Sequence, residues 1–195
     1  MPLLDREDEP AEVEDEPSDP RETGRFVLGV RGTGDAGSLP NATLGGGLLV
    51  GVHWQRLRLE LQALAYLPQL QEHRPTPDSA TEITLVTGAL TGCYDLLGAR
   101  DEQRALGACA AIEAGLSNGR PQSISDGREA TGFWLAGFAG IDARQRVIGP
   151  LHLRLLAEVG LPVVRPLYEI APFGRVFRAS PVLGRFGISL FVLFP

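Results

Sequence analysis

The stretch LRLELQALAYL, Leu57 to Leu67, alternates without a break. Leu57, Leu59, Leu61, Ala63, Ala65 and Leu67 fall on one side. Arg58, Glu60, Gln62, Leu64 and Tyr66 fall on the other. A period of two belongs to a β-strand; on a helix the same leucines would be scattered around the circumference. One face is therefore continuously apolar, and the other carries charges in mid-strand.

Similar runs lie on both sides of it. RFVLGVRG sets Phe26, Leu28 and Val30 opposite Val27, Gly29 and Arg31, and GLLVGVHW sets Leu48, Val50, Val52 and Trp54 opposite Gly47, Leu49, Gly51 and His53. LHLRLLAEVGLPV sets seven apolar residues, Leu151 to Val163, opposite His152, Arg154, Leu156, Glu158 and Gly160. Eight such segments are predicted, at 25–34, 43–54, 57–68, 83–96, 105–116, 132–144, 150–163 and 177–194. After the first connection, a tight turn near 55–56, a medium link near 100–103 and a short one near 145–149 alternate with long ones at 69–82, 117–131 and 164–177.

An even number of amphipathic strands, with short turns at one end and long loops at the other, is the pattern of an outer-membrane barrel. The expected fold is all-β: an eight-stranded antiparallel up-and-down transmembrane β-barrel spanning residues 24–195. Residues 1–23 form a separate acidic, proline-rich tail. Within 1–22 ten residues are acidic, two are basic and four are proline, so the tail has a net charge of −8 and the rest of the chain +2. Such a segment cannot bury enough apolar surface to offset its ordering entropy and is expected to be disordered. It would act as a spacer, or as an arm for a periplasmic partner.

Which face is wet separates this fold from a soluble, lipocalin-like barrel. A soluble barrel keeps its bulk inside and covers its outside with Lys, Thr, Ser and Glu. In this chain all eighteen basic residues are arginine, and the polar face mixes Gly and Ala with charges of both signs. That mixture suits the narrow lumen of an eight-stranded barrel, filled by side chains and too small for a general pore. Arg31, Arg58, Glu60, Glu113, Arg154, Glu158 and Arg185 are expected to satisfy one another there, because an unpaired charge would be costly. Trp54, Tyr66, Tyr94, Phe133 and Phe194 lie near strand ends and are candidates for interfacial aromatic girdles. Phe186, Ile188, Leu190, Val192 and Phe194 alternate outward to an aromatic beside the final Pro195, close to the pattern by which barrel-assembly machinery recognises its clients.

LTGCYDLLGA…LGACAAIEAGLSNG, FWLAGFAG, GPLHLRLLAEVGLPVVRP and ASPVLGRFGISLFVLFP together resemble uncharacterised small β-barrel proteins of myxobacterial-type bacteria. The resemblance covers roughly residues 25–195. It implies an outer-membrane eight-stranded barrel of the OmpA-like or OmpX-like kind and no established activity. Termini and tail would lie in the periplasm and the barrel would be a monomer in outer-membrane lipid. The opening MPLLDREDEP shows no signal peptide, since no basic segment precedes an apolar one.

Chemical motifs are sparse. His53, His73 and His152 stand in no HExxH motif, and neither GxSxG nor a phosphate-binding GxxxxGK[ST] occurs. A lipid-modifying enzyme of the outer membrane is the alternative class, but the His-x-Ser pattern is missing at His53 and His152. The reading is therefore a structural or binding protein, not an enzyme, with no catalytic residue, cofactor or metal. No basic stripe with interleaved aromatics suggests nucleic acid. Cys93 and Cys109 are equidistant from Asp101, the centre of a polar turn. A hairpin about that centre would place them directly opposite each other, so a disulfide is expected; two unlinked apolar thiols are the alternative. A bridge would require an oxidising compartment such as the periplasm.

Overall fold

A computed structural model describes residues 24–72, 80–98, 103–122, 129–165, 167–170 and 174–194. The acidic tail at 1–23 and His73 lie outside the described residues. The strands are β1 (Arg25–Ala36), β2 (Thr43–Trp54), β3 (Leu57–Tyr66), β4 (Gln69–Glu72), β5 (Ala80–Leu97), β6 (Arg104–Gln122), β7 (Ala130–Ile148), β8 (Leu151–Val164), β9 (Leu167–Ile170), β10 (Gly174–Arg178) and β11 (Leu183–Phe194). Eight of them, β1, β2, β3, β5, β6, β7, β8 and β11, form a ring of antiparallel neighbours. The first and last strands pair through Phe26 and Phe194, and β3 pairs with β5, so the sheet closes and leaves no barrel edge unpaired.

Strand parity sets the two walls. In β3 the burial pattern alternates without exception, with Leu57, Leu59 and Leu61 exposed and Arg58, Glu60 and Gln62 buried. Every β2 residue from Gly45 to Trp54 is matched to one residue of β3 across a tight turn. Gln55 in that turn takes φ 54°, the left-handed conformation that a two-residue hairpin demands.

The eight expected segments all contain barrel strands, but several boundaries differ. β5, β6 and β7 run to 18 or 19 residues, well past the apolar alternation. Their ladders continue through polar sequence: Glu82 pairs with Arg120, and Gly119 with Ala130. Once two strands are in register, each further residue gains backbone hydrogen bonds whether or not its side chain is apolar. Much of the expected loops at 69–82 and 117–131 is therefore strand. β4 resumes after the Leu67-Pro68 step, where proline cannot donate to a ladder. Ala65 faces Val86 but Gln69 faces Ile83, a slip of one residue. The segment 177–194 is two elements: Phe177 and Arg178 end the β9–β10 hairpin, and the barrel strand starts at Leu183, beyond Pro181. The last tight turn lies at Gly149-Pro150, not 145–149.

The interior has three zones. Towards the long connections Leu64, Tyr66, Ile83, Trp134, Phe138 and Leu183 share an apolar cluster. Charged and amide side chains fill the middle. Towards the short turns Val27, Leu49, Phe191 and Leu193 pack together, and Leu156 packs with the two cysteines. The lumen is thus bulkier than small residues plus charges. Tyr66 is among its occupants at 5% exposure, so it cannot join an outer girdle. Its position on the Arg58–Glu60 face decides this; proximity to a strand end does not. Trp54, Tyr94, Phe133 and Phe194 do face outward.

Candidate functional site

Parity delivers the charges to the lumen. Arg31 on β1, Arg58 and Glu60 on β3, Glu113 on β6, Arg154 and Glu158 on β8 and Arg185 on β11 are all buried, none more than 6% exposed. Four further ionisable residues join them that the sequence reading did not select: Asp35, Asp95, Asp142 and Arg144. Five guanidinium groups thus meet six carboxylates among the described residues.

The contacts connect in two groups. Glu60 is held by both Arg58 and Arg154, and Arg154 also reaches the Ser189 hydroxyl. Gln62 donates to Glu60 and to the Thr91 hydroxyl and accepts from Arg31, whose other terminal nitrogen lies 2.7 Å from Glu158. Arg58 also pairs with Asp142, and Arg144 lies 2.7 Å from Asp95, which His53 meets at 3.2 Å. These links bind β1, β2, β3, β5, β7, β8 and β11 across the lumen. Nearer the long connections Arg185 pairs with Glu113 at 2.7 Å and Asp35 at 3.1 Å. The Arg185 guanidinium lies 4.0 Å from the Phe138 ring centre, and Trp134 donates its indole N–H to Glu113. A buried ion pair repays its desolvation only when the remaining donors and acceptors are also engaged. All three nitrogens of Arg185 are, whereas Arg58 Nη1, Arg144 Nη1 and Asp95 Oδ1 are buried without a hydrogen-bond partner.

Asp35, Asp95, Asp142 and Arg144 were legible in principle. Asp95 has the parity of Cys93, and Asp142 and Arg144 have that of Trp134 and Phe138. Extending the strand's parity past its apolar stretch finds Asp35 and Asp95; for Asp142 and Arg144 the parity of β7 comes from its pairing with the strand of Glu113.

Cys93 and Cys109 form a disulfide with Cα atoms 4.1 Å apart, facing each other directly in the β5–β6 register. Thr87, Ala89 and Thr91 on β5 and Ala111 and Glu113 on β6 share their inward face. Asp142 Oδ1 lies 3.5 Å from Cys109 Sγ. A disulfide sulfur has no proton, so this is a contact and not a hydrogen bond. Cys93, Cys109 and Asp142 are close enough for three-point metal ligation. In the bridged form, however, the thiolates a metal would need are consumed, and the one carboxylate is held by Arg58.

The two described histidines have packing partners. His53 is on Asp95; His152 meets the Pro150 carbonyl through Nδ1 and stacks on Phe191 with ring centres 5.4 Å apart. Neither contact makes a nucleophile–base pair.

Fold and lumen together define a class: a closed eight-stranded up-and-down barrel, apolar outside and charged within. No protein-family model matches the chain, and no curated protein sequence does. Solved structures match over most of their length. A major outer membrane protein from Thermus thermophilus matches with TM-score 0.61 at 11% identity, over 89% of this chain and 100% of that one. The neisserial surface protein NspA matches with TM-score 0.52 at 11% identity, over 87% and 96%. Ail, the attachment invasion locus protein of Yersinia pestis, solved with the heparin analogue sucrose octasulfate, matches with TM-score 0.51 at 9% identity, over 88% and 97%. At these identities the likeness is one of fold, and it is not specific to a myxobacterial group.

Proposed function

We propose that the chain is an integral protein of a bacterial outer membrane, with a structural or binding role and neither a general pore nor a catalytic centre. The carrying observation is the outer wall. Leu28, Leu48, Leu61, Leu90, Ile112 and Ile188, from six different strands, are each about half exposed or more. An apolar band of that extent around a closed barrel is a lipid-facing surface; in water it would be an aggregation site. The filled lumen supports the same reading. A lipocalin-like carrier needs an apolar cavity inside, whereas this interior is occupied by paired charges and packed rings.

The short turns and both ends of the barrel lie at one rim, which in outer-membrane barrels is the periplasmic side. Residues 24–195 would then form the membrane domain and residues 1–23 a periplasmic tail open to a partner there. Phe194, exposed beside the C-terminal proline, would serve recognition by the assembly machinery. The single chain closes its own sheet, so a monomer suffices. The myxobacterial-type assignment rests on the sequence resemblance. Cell fractionation combined with heat-modifiable gel mobility tests the proposal. The expected result is an outer-membrane species that needs detergent and migrates faster before boiling; a monomer stable in buffer without detergent would overturn it.

A further inference from the structure

Among the described residues the rim that carries the short turns is basic; the segment linking β5 to β6 adds Arg100, Asp101 and Glu102 in sequence. Arg56 sits in the β2–β3 turn, Arg104 opens β6, and Arg146 lies near the end of β7; all three are exposed. Arg25 opens β1 at the same rim. Their backbones are tied to neighbouring strands: the Arg56 carbonyl accepts the Asp95 N–H at 2.8 Å, and the Arg146 N–H donates to the Gln103 carbonyl at 2.7 Å. Among the described residues of this rim no carboxylate is exposed, since Asp95 and Asp142 point inward and are buried. On the far side exposed Arg120 pairs with Glu129 at 3.0 Å and Arg178 is exposed as well; at the short-turn rim Arg146 donates from Nε to the Gly149 carbonyl.

The acidic segment 1–22 joins the barrel at this basic rim, at Gly24-Arg25. Eight strands about 4.8 Å apart and tilted by about 40° enclose a barrel about 16 Å wide. Twenty-two residues extend to roughly 75 Å at most, so the tail can reach any point of the rim. Its tethering holds the carboxylates there at roughly millimolar effective concentration.

We infer that the arginine rim is a docking surface for the chain's own acidic segment, residues 5–22, held by charge and released by salt. The inference concerns the rim and the tail and does not depend on which membrane holds the barrel. Anionic phospholipid is the rival occupant; it lacks the covalent tether and leaves the tail's net charge of −8 unmatched.

The test uses the full chain in neutral detergent micelles, with trypsin release of the tail fragment at Arg6 and Arg21 read by mass spectrometry. A free peptide of residues 1–23 corrects for the effect of salt on the protease. Docking should slow release about fivefold at about 20 mM salt relative to about 500 mM, where the Debye length shrinks to a few ångströms. Replacing the three exposed arginines (Arg56→Gln, Arg104→Gln, Arg146→Gln) should bring the ratio close to one, and the matching Lys replacements should restore it. If the Gln variant loses its heat-modifiable mobility, Glu12→Gln/Glu14→Gln/Asp15→Asn/Glu16→Gln on an unaltered barrel should remove the salt dependence instead. A ratio near one in the unaltered protein, or one unchanged by either set of replacements, overturns the inference. Loss of co-purifying anionic phospholipid from the Gln variant with no change in tail release would assign the rim to lipid phosphates and also overturn it.

Discussion

The two walls of a single strand obey opposite rules. Along β3 the outward residues, Leu57, Leu59 and Leu61, share only the requirement of being apolar, and another aliphatic would serve. The inward residues Arg58, Glu60 and Gln62 each have named partners on other strands, and substitution of one leaves the others exposed to the cost of burial without a partner. Even glycine divides this way. A Cβ on inward Gly47 would collide with the Ala63 carbonyl oxygen of β3, whereas one on outward Gly184 would meet nothing within 4 Å. Specificity of register and closure therefore resides inside, and compatibility with the surroundings resides outside.

Glu60→Gln should produce the largest loss, because Arg58 and Arg154 stay buried while their shared counter-charge disappears. Breaking a buried pair costs about 3–5 kcal/mol, read from urea unfolding of the folded barrel in lipid vesicles. A loss below about 1 kcal/mol would mean that water reaches the lumen. Replacing both cysteines by alanine should cost about 3 kcal/mol, since the bridge closes a loop of sequence separation 16. The same unfolding assay on native protein with and without reductant checks it.

On the outer wall, Leu90→Arg near the middle of β5 should cost about 2–4 kcal/mol if lipid surrounds it. On a water-facing wall the same change would stay within about 0.5 kcal/mol. The glycine pair sharpens the contrast most finely. Gly47→Ala should cost about 1–3 kcal/mol through overpacking, while Gly184→Ala should lie within about 0.5 kcal/mol of the parent.

Much of this division was readable from residues alone. The alternation in 57–67 set the parity of one strand, and the short turn at Gln55-Arg56 transferred it to the next. Symmetry about Asp101 placed Cys93 opposite Cys109, the pair that is bridged. What escaped lies where alternation of polarity fails. Asp95, Asp142 and Arg144 sit towards strand ends, where polar residues flank both faces and hydropathy no longer labels the wall. Trp134 and Phe138 were hidden for a converse reason: in FWLAGFAG both faces are apolar, and only pairing with the strand that carries Glu113 tells them apart. The extensions of β5, β6 and β7 follow from ladder propagation, to which side-chain patterns are blind.

The chain's two tryptophans give the most direct test of the two-faced wall. Trp54 faces outward at 57% exposure, and Trp134 lies inside at 1%. In vesicles containing lipids brominated along the acyl chains, the unaltered protein should lose a large part of its emission, all of it from Trp54. Trp54→Phe, which leaves Trp134 as the sole indole, should be almost unquenched. Equal quenching of the two proteins, or quenching of Trp54 by aqueous iodide and not by brominated lipid, would contradict a barrel that turns its apolar wall to lipid.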